Sequence, residues 1–474
     1  MRMFSPIGVF DEREEEQVHR TALRILDEVG AAIESEAVLE RLAGFGGRVD
    51  RDAVRVSFAQ DFIEDFLADS EPFDWRSVQP HVAGYAGTYH GHYLSPETDA
   101  FEPWTLPTFL GYLKLAHHLE HTHGGVGLAF RLPGIPDAAL VLFFHYRAFK
   151  LGGRSAQSLN HVRWCPHILA MCEAVAADKG SSVRDVFGAF VEMISPLKLG
   201  REEARIFTFF AERGLRIGIG HMLSAGGTAP VTLAGAIALN LAQDILVSII
   251  GRAWFGDRSL SLTCSISPLD MRTAMYPYGR PEKEMCNVAM AQMARRYGAH
   301  FGGHCGHTDA KRPSAEVGFQ RALNAIPTLM ACGHTTLSCG LLSVDEIFSP
   351  VQMVIDDEMV SCLGRFARGF EVSDETLALD LIRQVGPGGQ FLATEHTARH
   401  FRSELWEPRV FSREMLAPWL RHGAGTDVDR AREIVHSLVR RDPMPVHISE
   451  TLERTLLAII RETTGARIAP VEPA

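Results

Sequence analysis

The chain has 474 residues, 46% apolar and 22% charged, which excludes disorder and a collagen-like repeat and leaves ample apolar mass for a large buried core. Asp and Glu number 58 against 47 Lys and Arg, a formal charge of −11. A net acidic chain without a basic tract is a poor nucleic-acid ligand, because that affinity comes from neutralising phosphates. The first predicted element is an amphipathic helix over 11–29, with Val18, Ala22, Ile25, Leu26 and Val29 at helical spacing. Asp11 and Glu14 form its capping signal and Gly30 ends it. A short helix over 35–43, a strand over 49–58 and a hairpin over 85–102 follow.

From about residue 106 helical patterns alternate with short β-like runs. The expected strands are 124–130, 155–160, 191–194, 215–221, 259–266, 299–305 and 328–332. Helices over 201–212, 231–250 and 282–297 lie between them. Strands separated by helices imply βαβ crossovers and a parallel sheet. Seven units at this spacing fit an α/β fold, a (β/α)8 TIM barrel. The eighth strand has no clear signal, and 337–342 is one option. After about 370 the chain is helical again, with a break at 386–389. The expected organisation is an N-terminal α+β extension (1–105), a barrel (106–370) and a C-terminal helical extension (371–474).

The run 231–250 is apolar enough to suggest a membrane span, but Asn240, Gln243 and Asp244 would be costly in lipid. It reads as a buried helix of a soluble fold. Eight scattered cysteines, with no C-x-x-C pair, point to reduced thiols. Residues 1–10 lack a secretory apolar run, so the expected location is cytoplasmic.

In barrels, reacting groups sit at the C-terminal ends of strands. That rule selects Arg131, His221, the loop 224–230, the run 302–311 and His334. The run 302–311 is densest, with His304, Cys305, His307 and Asp309 between glycines that permit close approach of a ligand. His304, His307, Asp309 and His334 are the candidate catalytic groups. His304, Cys305 and His307 are the weaker candidate metal set, and no tightly bound metal is expected. Gly226, Gly227 and Thr228 open a helix whose free N–H groups suit an anion. Tyr89, His90, Tyr93, Tyr276 and Glu358 join Arg131 and His221 as candidate substrate contacts, since aromatic faces and carboxylates attract cations. Trp104, Trp164 and Tyr278 are further aromatics near the expected mouth. Asp356 and Asp357 read as helix-surface charges. The glycine fingerprints of dinucleotide and phosphate loops are missing, as is the nucleophile elbow of the α/β-hydrolases.

These motifs together resemble the trimethylamine methyltransferase superfamily over nearly the whole length. The resemblance rests on residues 18–30, on Gly226-Gly227-Thr228-Ala229-Pro230-Val231-Thr232, and on Asp270-Met271-Arg272-Thr273 followed by Arg280-Pro281-Glu282. Thr308-Asp309-Ala310-Lys311, Asp356-Asp357-Glu358 and the run 386–397 continue it. After Lys311 the pattern differs, with Ser314, Glu316 and Gln320 in place. The resemblance implies a TIM barrel that takes a methyl group from a methylated amine and passes it to the Co(I) of a corrinoid on a separate protein. Trimethylamine members carry pyrrolysine, and this chain holds only standard residues. It therefore resembles the non-pyrrolysine branch, which implies a quaternary or tertiary amine such as glycine betaine as the partner molecule. Tetrahydrofolate as direct acceptor is the first alternative. A metal-dependent barrel hydrolase or lyase using His304, His307 and His334 is the second. A homo-oligomer, a dimer first, is expected; nucleic acid and membrane are not.

Overall fold

The local signals at the N-terminus work as read. In the computed structural model, which describes residues 6–88, 91–127, 131–151, 155–441 and 444–470, a helix spans Glu12–Arg24 and runs on through a wider turn to Gly30. Asp11 and Glu14 cap it reciprocally: Glu14 N donates to Asp11 Oδ1 (2.8 Å) and Asp11 N donates to Glu14 Oε2 (2.9 Å). The expected strand over 49–58 is a hairpin of two short strands, Arg48–Asp50 and Arg55–Ser57. The expected hairpin over 85–102 is present as His92–Leu94 against Phe101–Pro103.

The molecule is mixed α/β, about 52% helical with small sheets. Among the described residues, the strands that pair in parallel include β1 (His81–Thr88), β2 (Thr122–Gly127), β3 (Ser155–Ser158), β4 (Phe187–Met193), β5 (Gly218–His221), β6 (Ser261–Cys264), β7 (His300–Gly303) and β8 (His334–Cys339). β8, β1 and β2 form one sheet, with His334 opposite His81. β3, β4 and β5 form a second, and β6 and β7 a third. Beyond β5 and β6 the short strands Leu223–Ala225 and Ile266–Pro268 pair in parallel.

Two placements differ from the sequence reading. The run 328–332 is not a strand but the last turn of a helix, Ala315–Cys332. Burial of Ala325, Thr328, Leu329 and Cys332 carries the helix past Pro327, against the local breaker signal. The strand that follows is β8, close to the 337–342 option. The strand β1, for which the sequence offered no separate signal, takes in residues 85–88 of the expected hairpin and sits between β8 and β2.

Helices pack on the strands and supply the polar groups that fix them. α1 (Leu233–Phe255) is the one described helix long and apolar enough to cross a membrane, but most of it is buried inside the protein. Ile245, Leu246, Ile249 and Ile250 are fully covered, each stabilising by about 1.5–3 kcal/mol. Its Asp244 carboxylate lies between β5 and β6. It accepts from Thr263 N (3.0 Å), Thr263 Oγ1 (2.9 Å) and Asn240 Nδ2 (3.0 Å), and meets His221 Nε2 at 2.9 Å. At that level a side chain joins the two strands in place of a backbone ladder.

α2 (Pro281–Tyr297) and α3 (Ala315–Cys332) pack against each other and support β6, β7 and β8. α4 (Pro350–Arg368) holds Asp356 and Asp357, both wholly buried rather than on the surface. Asp356 lies 2.8 Å from the Arg321 guanidinium and accepts from Gly340 N and Gln352 Nε2 (both 2.8 Å). Asp357 accepts from His121 N (2.8 Å), Thr122 Oγ1 (2.9 Å) and Arg409 (2.7 Å). Their partners are far away in sequence, so the acidic run looks like a solvated face until the chain is folded.

Candidate active site

The site begins where β7 ends. His304 N donates to Cys264 O (3.0 Å), extending the register by one residue. The chain then turns at Gly306, whose φ is +74° and whose backbone lies so close to β8 that a Cβ would sit 2.2 Å from Thr336 O. This turn brings the His304 and His307 rings into a stack with centroids 4.0 Å apart and planes 28° apart. His307 Nε2 lies 2.8 Å from Ser338 Oγ on β8.

A second loop closes over the pair. The Tyr278 ring lies 5.1 Å from His304 and 4.6 Å from His307. Its hydroxyl donates to Asp345 Oδ2 (2.9 Å). Asp309 accepts from the backbone N–H of Tyr278 (2.6 Å) and Gly279 (2.9 Å), one on each oxygen. Asp309 therefore ties the two loops together. Gln320, at a point where the family pattern differs, accepts from Thr308 Oγ1 and Asp309 N (2.5 and 2.9 Å). Ser343, Val344 and Asp345 are three successive residues with left-handed φ, 51°, 55° and 70°. Backbone bonds to Ala310 O and Thr308 O hold that run and set Asp345 beside Tyr278.

Buried charges underpin the turn. Lys283 on α2, 1% exposed, donates to the His304 carbonyl. Glu284 accepts from Asn287 Nδ2 (2.9 Å) and Thr328 Oγ1 (2.8 Å). Arg321 on α3 donates to Gly306 O and to Leu341 O (2.8 Å). Burial, reinforced by Lys283, pushes the His304 imidazole down to about 3. Burial first, then His304, Lys283 and Arg321, holds His307 well below the usual imidazole range. Both rings are neutral at pH 7, and the buried His304 Nδ1 has no hydrogen-bond partner among the described residues.

The other candidate residues divide clearly. Tyr276 lies beside Tyr278 at 5.7 Å, with its hydroxyl on Ser265 O (2.6 Å). His334 stands at the start of β8, stacked on His300 at the start of β7 (5.7 Å). His300 and His304 are four residues apart on one strand, about 13 Å at ~3.3 Å per residue. His334 is thus at the opposite strand end from the His304–His307 pair, a direct result of taking 328–332 for a strand. Cys305 turns the other way, to Thr335 Oγ1 (3.1 Å), and burial raises its thiol pKa. The donors His304, Cys305 and His307 therefore do not converge. Among the described residues no group of three or more His, Cys, Asp or Glu is arranged to hold a metal ion.

His221 is buried on Asp244 and Arg131 is exposed on Asp137 (2.9 Å). Tyr93 packs in an apolar cluster with Trp104 (5.4 Å) and Phe348 (6.3 Å). Glu358 spends one oxygen on three backbone donors, Arg409, Val410 and Phe411 (2.9, 2.9 and 3.2 Å), so its position is structural. The N–H groups of Gly226, Gly227, Thr228 and Ala229 bond to carbonyls within their own loop, and the helix opens only at Leu233. The anion-site argument for Gly226, Gly227 and Thr228 loses those donors. Tyr89 and His90 lie outside the described residues.

Four groups escaped the sequence reading. Asp345 and Ser338 gave no local motif. Glu192 stands near the end of β4 on the face opposite Val191 and Met193, over Gly220 of β5. It has no hydrogen-bond or ion-pair partner among the described residues; its side chain is exposed to solvent, and partial desolvation raises its carboxyl pKa. Tyr85 on β1 lies against Gly87 and Gly124, where a Cβ would meet its ring at 3.0 and 2.9 Å. Glycines opposite an aromatic are the one sequence signal for it.

The family described as trimethylamine methyltransferase (MTTB) matches residues 1–464. Trimethylamine methyltransferase MttB of Desulfitobacterium hafniense (strain DSM 10664 / DCB-2) is 24% identical over 477 residues, covering 96% of this chain and 93% of that protein. Glycine betaine methyltransferase of Desulfitobacterium hafniense (strain Y51) is 26% identical over 434 residues, covering 87% and 88%. Trimethylamine methyltransferase MttB of Methanosarcina thermophila is 27% identical over 249 residues, about half of each chain. With a family match running from the first residue to 464, the chain is a methyltransferase that belongs to the trimethylamine methyltransferase family.

Proposed function

We propose that this methyltransferase demethylates a quaternary ammonium compound of betaine type and hands the methyl group to the Co(I) of a corrinoid on a separate protein. The observation that carries the substrate reading is the buried, neutral His304–His307 pair under Tyr278. A quaternary ammonium loses its methyl and departs as a neutral amine, so no proton is required. A tertiary amine departs as a neutral amine only from its protonated form, so a buried site must keep the proton that the amine carries in water at pH 7, and imidazoles held far below pH 7 cannot resupply it. One relative, a glycine betaine methyltransferase, supports the same substrate class, while the other relatives carry the name trimethylamine methyltransferase. The site's work is then positioning and exclusion of water rather than acid–base catalysis. Tyr278 offers an aromatic face to the cation, and Glu192 and Asp345 offer carboxylates.

The architecture in this reading is a closed eight-stranded barrel. Its support is the parallel order β8–β1–β2, β3–β4–β5 and β6–β7, with Leu223–Ala225 bridging β5 to β6. The bond from Ser338 N to Gly306 O (3.2 Å) links β7 to β8. The barrel then begins at β1, earlier than residue 106. At the C-terminal strand ends, Met222, Val231, Met271 and Met275 are exposed, Val231 and Met271 of them beside Gly226. That apolar rim supports a protein-borne acceptor over free tetrahydrofolate, because exposed Met clusters favour protein contacts.

The test is incubation of the purified protein with glycine betaine, proline betaine, carnitine or trimethylamine, and either cob(I)alamin or tetrahydrofolate. Methylcobalamin and the demethylated betaine are expected, with trimethylamine inert. Transfer to neither acceptor from any betaine refutes the proposal. Transfer from trimethylamine alone refutes the argument from neutral histidines.

A further inference from the structure

We propose that Tyr85 is the aromatic platform on which the ammonium head of the substrate sits, a role that rests on the methylated-amine reading above. Tyr85 stands in the middle of β1. The strand register places it beside Ser338 of β8 on one side and His123 of β2 on the other. Neighbouring strands lie about 4.8 Å apart, and residues paired across them point to one face. The other face of this sheet is covered by α4, and Val82, Ala86, Thr122, Leu337 and Cys339 are buried there. Tyr85 therefore shares its face with Ser338, the residue that holds His307.

The ring lies across two glycines. A Cβ on Gly87 would meet its Cε1 at 3.0 Å, and a Cβ on Gly124 would meet its Cε2 at 2.9 Å. Opposite edges of the ring thus rest on two different strands, and a side chain at either position would lift it. The ring is 52% exposed, and it has no ring contact or hydrogen-bond partner among the described residues. Desolvation still raises the hydroxyl pKa, so the open surface lies in a recess rather than on a convex exterior.

A quaternary ammonium has no N–H to donate, so hydrogen bonds cannot recognise it. What can is an aromatic face, with a carboxylate at longer range. Tyr278 is 5% exposed, with its hydroxyl on Asp345, so the broad aromatic surface on offer is that of Tyr85. In the closed-barrel reading the exposed Glu192 faces the same hollow and supplies the opposite charge.

Calorimetric binding without a methyl acceptor tests this, with glycine betaine and choline as ligands. The controls are their analogues in which a tert-butyl group replaces the trimethylammonium, which keeps the shape and removes the positive charge. The wild type should bind one of the two ligands about tenfold more tightly than its analogue, the size of a desolvated cation–π contact. Tyr85→Leu should lose about tenfold for that ligand and little for the analogue, while Tyr85→Phe keeps wild-type affinity. Gly87→Ala, which displaces the ring without removing it, should weaken the same ligand. Equal affinity for ligand and analogue overturns the proposal, as does a wild type that binds neither ligand. So does a Tyr85→Leu protein that binds as the wild type does, or a Tyr85→Phe protein that binds as poorly as Tyr85→Leu. Discrimination that Tyr85→Leu abolishes, in a protein that transfers no methyl group to either acceptor, refutes the function proposed above and leaves Tyr85 in its role.

Discussion

Replacing Gly306 by Ala should damage stability and turnover together, and the structure says by how much. The new Cβ would lie 2.2 Å from Thr336 O and 2.5 Å from Leu337 Cα, both backbone atoms of β8. No side-chain rotation can relieve the overlap, so the turn or the strand must move by about an ångström. The left-handed φ of +74° adds a cost of about 1–2 kcal/mol for a residue with a Cβ. With overpacking at about 1–3 kcal/mol, the loss should reach about 2–5 kcal/mol. The movement also pulls His307 from Ser338, and a displacement of ~1 Å in a reacting site costs roughly 100-fold in rate. Urea unfolding and methyl-transfer turnover measure the two effects. Gly302→Ala is the control, since nothing lies within 4 Å of its Cβ and its φ is ordinary. A stable and fully active Gly306→Ala protein, matching the control, refutes the account of how the turn holds the histidine pair.

Other outcomes follow from the buried charges. His304 is neutral in the folded protein down to about pH 3, whereas an unfolded histidine takes its proton near 6.5. The unfolded state therefore binds more protons in that window, and stability should fall as pH drops from about 6.5 towards 3, at up to ~1.4 kcal/mol per pH unit. His307 adds in the same direction. His304→Gln should flatten the slope of urea midpoint against pH, and an unchanged slope would count against the assignment. Arg321→Met leaves the Asp356 carboxylate without its cation and should cost about 3–5 kcal/mol of unfolding free energy. A loss under ~1 kcal/mol would mean that Asp356 is carried by Gly340 and Gln352 alone.

Much of the secondary structure was legible because its causes are local. The capping box at Asp11 and Glu14, the glycine stops and the long apolar helix α1 need only neighbours within a few residues. The histidine turn was legible for the same reason, as five reactive or polar side chains between glycines. What failed were assignments settled by distant partners. Pro327 and a short apolar run looked like a break and a strand, but packing against β8 keeps that run helical. This single error moved His334 from one end of its strand to the other. Asp356, Asp357 and Glu358 showed only a charged run, since Arg321, Thr122 and the backbone at 409–411 become their neighbours through the fold. Asp345 left no trace, because its role comes from a left-handed backbone run and a tyrosine 67 residues away.

Asp244 gives the scaffold a seam unlike its others. Where most strand neighbours are stitched by many equivalent amide bonds, these two share one carboxylate as their rivet at the level of His221 and Thr263. A single amino-acid exchange there can loosen two adjacent strands without touching any main-chain ladder, so their spacing can be tuned from the helix packed on them.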